Sequence, residues 1–378
     1  LIFKIIFCTL CLCPGRFIGF LTGNLLVVAI FPPIAFMTKR SFPAGYFFWL
    51  GIAVLLVWLS LQMLAPGAAG KERWDALLEA WRKADKGWLW LMALLAMLSH
   101  LIRAERWRML LQAAGQQVNV YHAFLSLMVG YLVNLAVPRG GEVWRCLNLY
   151  KLNRCPVDQS LGTVVAERAL DLLCFVLVVV VAFLLEFSRL TAFVRSLPVQ
   201  FPALPGARVW LTAGGALLIL ALAGWMIRRR FPSIGEGWQR FRRGFSSGLK
   251  AALHVKPGGL FLFYTATIWL LYFFMSYAVL KAFPETAALE YRAVLNMFAI
   301  GSLAMVLPLP GGTGSYHTLV PAGLSFLYHL PLADAVAFTF IFHAWQTLIM
   351  IAGGIPSLLA TTLRKERISA ENELTLKP

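Results

Sequence analysis

The chain has 378 residues, of which 60% are hydrophobic and only 13% charged, against about 45–50% and about 25% in an average soluble protein. That is too little charge to cover the surface of two or three soluble domains, and uncharged windows of about 20 residues, enough to cross a hydrocarbon core of about 30 Å, recur throughout. The net charge of +17 would raise nucleic acid as a partner in a soluble chain, but here many basic residues lie in short segments between apolar runs, where they read topology and contact with anionic lipid.

The expected class is an all-α polytopic membrane protein with roughly 7–9 membrane helices, one or two of its segments being re-entrant and broken by Pro and Gly. The short segments of alternating polarity that mark a β-barrel do not recur. Residues 1–36 are expected to be an extra segment ahead of a start at Met37, which is followed by Lys39-Arg40 and an uncharged run. The alternatives are a first span at about 17–36, interrupted by Pro32-Pro33, or a signal-like segment. Cys8, Cys11 and Cys13 sit in IIFCTLCLCP without histidine or acidic neighbours and read as apolar filling.

Spans are expected at about 45–64, 88–102, 160–187, 209–227, 259–280 and 332–360. The segment 65–86 is nearly balanced in charge, while 228–258 carries eight Lys and Arg against the single acid Glu236 and is expected to be a basic cytoplasmic loop. These limits give a membrane domain over 37–362 and a polar tail over 363–378. Residues 121–138 hold no charge but are interrupted by Gly130, Asn134 and Pro138. If they dip in and return, the Lys39-Arg40 and Arg103, Arg106, Arg108 clusters both fall on the cytoplasmic side; if they cross fully, both fall outside. The re-entrant reading is the expected one. Residues 293–310 are similar, and 316–330 read as a short apolar helix before Pro331. The stretches Tyr131 to Gly141 and Ser302 to Gly312 echo one another, each placing an apolar run before proline and paired glycines. Such interruptions in two halves point to a midplane site, although Gly and Pro are common in membrane helices generally.

Four constellations could carry chemistry. In Pro138-Arg139-Gly140-Gly141-Glu142, followed by Arg145, the proline can stop a helix and the glycines admit close backbone approach. The guanidinium of Arg139 suits a phosphate or a carboxylate; an interfacial loop with one salt bridge is the plainer reading. Leu172 to Leu185 is about 21 Å as a helix, so its span must recruit preceding turns, drawing Glu167, Arg168 and Asp171 into or to the edge of hydrocarbon. Charges at that depth pair or line a wet path; the plainer reading is an Arg168-centred ion cluster that fixes packing. Arg103 and Arg106 can share a face at the end of a span and reach an anionic headgroup, with Trp107 and Arg108 expected as surface anchors. Finally, Pro310-Gly311-Gly312-Thr313-Gly314-Ser315-Tyr316-His317, with His343 and Gln346, suggests a gate and secondary polar cavity residues. The histidines lack compact metal-ligand spacing.

Taken together, Arg106-Trp107 with Leu110-Leu111, Asn134, Pro138-x-Arg-Gly-Gly-Glu142 with Arg145, Glu167-Arg168-x-x-Asp171 and Pro310-Gly311-Gly312-x-Gly314 resemble the family named for the transmembrane region of lysylphosphatidylglycerol synthase, also described as flippase-like, over about 39–362. In that family, two-function members join a lipid-flipping module to an aminoacyl-transferase domain. Here 16 residues follow Thr362 and the longest polar stretch is 31 residues, so the resemblance implies the stand-alone module. The family's frequent Pro-Gly-Gly-x-Gly-x-x-Glu ending departs at His317, which suggests different headgroup chemistry.

The expected function is therefore translocation of an amphipathic, phosphate-bearing lipid in a prokaryotic cytoplasmic membrane. Arg139, Arg145 and Arg168 would guide the headgroup, Glu142, Glu167 and Asp171 would hold those arginines, and Pro138, Gly140, Gly141, Pro310, Gly311, Gly312 and Gly314 would form a floor or gate. Asn134, Arg103 and Arg106 belong to the same path. The partner is a phospholipid or another anionic or zwitterionic lipid, with no metal, cofactor or nucleic acid, and with a lipid-synthesis enzyme as a further candidate. The rival readings are an accessory lipid-binding subunit and a membrane-embedded lipid transferase using Glu142, Asp171 or a histidine as base.

Overall fold

The computed structural model describes residues 54–55, 57–62, 64, 70–137, 140–196, 232–304 and 314–375. The expected segments 1–36 and 209–227, and most of 45–64, lie outside them. The chain divides into two compact units, one of 1–47 and 195–241 and the other of 48–194 and 242–378. Of the first, only Arg195, Ser196 and Pro232–Phe241 are described, all helical. Apart from those ends of two helices, everything that follows concerns the second unit.

The described residues contain helices and no strand: α1 Gly70–Lys83, α2 Lys86–Ala113, α3 Val120–Ala136, α4 Gly141–Asn153, α5 Val157–Leu185, α6 Phe187–Ser196, α7 Pro232–Lys250, α8 Gly258–Ala282, the single turn α9 Pro284–Ala287, α10 Tyr291–Ala304, α11 Ser315–Tyr328 and α12 Leu332–Thr375. Among them, α2, α5, α8 and the Leu332–Leu363 part of α12 are long and apolar enough to cross a membrane. Their outward faces carry exposed Leu94, Leu101, Leu173, Phe263 and Leu359, which suits contact with acyl chains. The protein is thus a polytopic all-α membrane protein.

Local chemistry sets the helix starts. The Asp85 carboxylate accepts from the Gly87 N–H at 2.7 Å and the Asn119 side chain accepts from the Tyr121 N–H at 2.8 Å, each satisfying one orphan donor of a first turn. α2 runs about three turns beyond the expected 88–102, carrying Arg103, Arg106 and Arg108 inside the helix. The near-balanced segment 65–86 contains α1, whose Ala76, Leu77 and Ala80 pack on Leu64, Val336 and Ala337. The basic segment 228–258 contains α7, and the polar tail prolongs α12.

Chain direction follows from contacts between helix ends. α2 and α8 are antiparallel: the Asp85 N–H donates to the Ala282 carbonyl, while Met109 and Leu110 cluster with Val255 and Phe261. The latter end collects Lys151, Arg154, Arg242, Arg243, Lys250 and Lys256. α3 and α4 form an antiparallel hairpin that opens at this basic end, where His122 Nδ1 lies 2.6 Å from Asn153 Oδ1. Deeper in, Asn148 donates to Ser126 at 3.2 Å, and the Gly140 N–H donates to the Val137 carbonyl at 3.0 Å where the hairpin closes. At 17 residues α3 spans about 25 Å, short of the 30 Å core.

A second hairpin, α10 and α11, opens at the opposite end. Asn296 donates to the Tyr328 hydroxyl at 2.7 Å near the mouth, and Ser315 donates to the Ala304 carbonyl at 2.7 Å near the tip. The α3–α4 and α10–α11 hairpins thus open at opposite ends, while 305–312 of the second echoing stretch lie outside the described residues.

Candidate functional site

The α3–α4 tip can come close because two glycines face each other. A methyl group on Gly141 would overlap the Gly130 carbonyl oxygen, and one on Gly130 would lie 2.9 Å from the Gly141 oxygen. Asn134 then reaches across, its Oδ1 accepting from the Gly141 N–H at 2.8 Å. With no side-chain cap from Gly140, this contact serves the first turn of α4 and aims Glu142 and Arg145 at α5.

Glu167 is the centre of the site. It is wholly buried and accepts from Arg145 Nη2 at 2.6 Å, Arg103 Nε at 2.8 Å and Arg106 Nη2 at 3.4 Å. One turn on, Asp171 pairs with Arg106 at 2.7 Å and also with Arg103. The two carboxylates share a face of α5 at i,i+4 spacing and the two arginines share a face of α2 at i,i+3, so two helices zip together through matched charges. α8 completes the shell: Arg103 donates to the Tyr272 hydroxyl at 2.7 Å and Arg106 to Thr265 Oγ1 at 3.3 Å. Arg168 is more exposed, 3.3 Å from Glu142 and 3.9 Å from Asp171.

The four arginines face three carboxylates, leaving one excess positive charge. Arg145 is 2% exposed, yet its Nε and Nη1 have no partner among the described residues, and neither do Arg168 Nε and Glu142 Oε2. Buried donors of this kind are costly unless something else satisfies them. These residues border a narrow crevice, lined by Gly130, Tyr131, Asn134, Glu142, Arg145 and Arg168 among others, and too tight for a water-sized sphere.

Several expectations are corrected. The ion cluster centres on Glu167, not on Arg168, because α4 and α2 both present arginines to that one carboxylate. Trp107 is no surface anchor. It is wholly buried, its indole N–H donates to Thr163 Oγ1 at 3.0 Å, and the Arg145 guanidinium stacks 4.5 Å from its ring. Arg108 turns away from this cluster and pairs with Glu105. Pro138, Arg139, Pro310, Gly311 and Gly312 lie outside the described residues.

The remaining candidates gather at the α11 start. Gly314 has φ +97°, a conformation that suits glycine, and its N–H donates to His317 Nδ1 at 3.3 Å. His317 thus serves as the capping-box partner that Glu or Gln supplies elsewhere. Its ring lies 4.7 Å from that of His343, which stacks on Tyr316 at 5.5 Å. Gln346 is half-buried three residues further along α12.

Sequence reasoning missed Tyr131, Thr163, Thr265 and Tyr272. Each is neutral in an apolar helix, so only its partner marks it: arginines for Thr265 and Tyr272, the His100 ring for Tyr131 and the Trp107 indole for Thr163. Sequence reasoning gives Glu167 and Asp171 to Arg139, Arg145 and Arg168 and sends Arg103 and Arg106 to a headgroup, whereas the structure pairs both of the latter with those two carboxylates.

Comparison with known proteins fits this geometry. The family model described as the lysylphosphatidylglycerol synthase TM region matches residues 17–354. A UPF0104 membrane protein of Methanothermobacter thermautotrophicus is 25% identical over 308 residues, covering 76% of this chain and 87% of that protein. The UPF0104 membrane protein MJ1595 of Methanocaldococcus jannaschii is 25% identical over 292 residues, covering 71% and 82%. No solved structure matches the chain significantly. With its match extending over most of its length, the chain belongs to the family of the lysylphosphatidylglycerol synthase TM region.

Proposed function

We propose that the protein moves a phosphate-bearing lipid between the leaflets of a prokaryotic cytoplasmic membrane, with its basic end in the cytosol. The observation that carries this reading is the Arg145 guanidinium, buried beside Glu167 with two nitrogen donors unsatisfied at a crevice that Arg168 shares. A phosphate oxygen would satisfy those donors and meet the excess positive charge. Acyl chains would stay in lipid while the headgroup follows the polar route, avoiding transfer of a charge into hydrocarbon. The crevice must widen for this, and the α3–α4 hairpin, closed on itself by glycine contacts, is the element suited to move.

No covalent step is required. Glu167 and Asp171 are engaged by two or three arginines each, which suits charge balance better than proton abstraction. The test is reconstitution of wild type, Arg168→Gln and Arg243→Gln at matched folded-protein levels, with leaflet-to-leaflet lipid movement as readout. Arg168→Gln is expected to slow movement, while Arg243→Gln, an exposed charge on α7, changes it little. No movement by wild type would favour an accessory subunit, and a new covalent lipid product would favour a transferase.

A further inference from the structure

The charged cluster ends on α2 at Arg103, but the buried polar stripe does not. One turn towards the opposite end lie Ser99 and His100, close to the midpoint of Lys86–Ala113. Ser99 is wholly buried and His100 is 7% exposed. Ser99 Oγ and His100 Nδ1 have no hydrogen-bond partner among the described residues.

Several buried hydroxyls in apolar helices of this protein return to their own backbone: Thr265 donates to the Phe261 carbonyl at 2.9 Å, Thr339 to Ala335 at 2.7 Å and Ser357 to Gly353 at 2.7 Å. That bond is the inexpensive solution where no water is present. Ser99 does not make it. The His100 ring packs 4.8 Å from that of Tyr131, and Tyr131 lines the crevice that holds Arg145 and Arg168. The stripe Ser99, His100, Arg103, Arg106 is therefore continuous along one helix and joined to the crevice through Tyr131.

We propose that Ser99 and His100 form a hydrated step halfway across the membrane, where the polar headgroup of a lipid passes between the arginine cluster and the opposite leaflet. The unmet donor and acceptor capacity is then supplied by water or headgroup when the crevice opens. Hydration of the step stands on the geometry alone; passage of a headgroup rests on the leaflet-transfer reading above.

The experiment places single cysteines in the full chain, lacking its six native ones, in vesicles of phosphatidylglycerol and phosphatidylethanolamine. A membrane-impermeant anionic methanethiosulfonate then reports on water, because the reactive thiolate forms only where water reaches. Ser99→Cys should label roughly tenfold faster or more than Leu101→Cys, on the acyl-facing side, and Ala278→Cys, buried on α8. His100→Cys, read in the same way, serves if Ser99→Cys does not fold. Labelling no faster than these controls overturns the proposal. Lipid transfer by the wild type is measured in the same vesicles: its absence beside fast Ser99→Cys labelling would defeat the transfer reading and leave the hydrated step standing. With both present, His100→Leu should slow transfer several-fold or more while His100→Gln retains most of it; equal rates for wild type and His100→Leu would remove His100 from the path.

Discussion

Arg145 on α4 and Glu167 on α5 meet at 2.6 Å with both side chains almost wholly buried, although the rest of α4, a turn and the first third of α5 separate them in the chain. This pair ties the α3–α4 hairpin to the spans α2 and α5, since Glu167 is also the acceptor for Arg103 and Arg106. A buried ion cluster is weak evidence for stability as such, but removing one member leaves uncompensated charge.

Glu167→Gln is the sharpest test of that asymmetry. It would leave three guanidiniums around a neutral amide, with Asp171 as the remaining close anion, at a cost of about 3–5 kcal/mol. Arg145→Gln should cost less, because Glu167 retains two arginines. Thermal unfolding in detergent, followed by size-exclusion elution, would order the two variants; an equal or smaller loss for Glu167→Gln would contradict its central position.

The hairpin tip makes a steric prediction. Gly141→Ala puts a methyl group into the Gly130 carbonyl, and backbone has little freedom to retreat there. A loss of about 1–3 kcal/mol is expected, together with weaker lipid movement. Gly259→Ala, where nothing lies within 4 Å, should be close to neutral in the same thermal assay. Similar melting of the two variants would show that the tip is looser than its glycine contacts require.

Much of this architecture is legible in the sequence, for identifiable reasons. Uncharged runs mark α2, α5, α8 and α12 because hydrocarbon tolerates no other pattern, and the Pro/Gly interruption after Asn134 marks the tip of a hairpin. The i,i+4 spacing of Glu167 and Asp171 puts both on one face. What the sequence conceals is which distant helix answers them, since no local period encodes a partner more than 60 residues away. Trp107 illustrates the difficulty: beside Arg108 at the end of an apparent span it reads as a headgroup anchor, and only the continuation of α2 carries it into the core.

Topology supplies a further prediction. Single cysteines at Gln117 and Arg154, flanking the α3–α4 hairpin, should react with an impermeant reagent from the same side of the membrane, and one at Glu290 from the other. The native thiol of Cys155 should stay silent, because burial pushes it up to about 12 and it remains protonated at pH 8. Labelling of Gln117→Cys and Arg154→Cys from opposite sides would mean that the hairpin spans the membrane.

The last prediction concerns His317, where the resemblance leads one to look for an acid. Its side chain accepts from the Gly314 N–H at 3.3 Å, and its carbonyl accepts from Ser60 Oγ at 2.6 Å, so the position works as a cap holding the start of α11 beside Tyr316 and His343. A neutral acceptor of similar reach should do the same work. His317→Gln is expected to leave thermal stability nearly unchanged, whereas His317→Ala, which strands the Gly314 N–H, should cost about 1 kcal/mol. If capping is the whole role, lipid movement per folded molecule is the same for wild type and both variants. A transfer rate that collapses in His317→Gln while its melting temperature holds would instead assign the imidazole a part in the path.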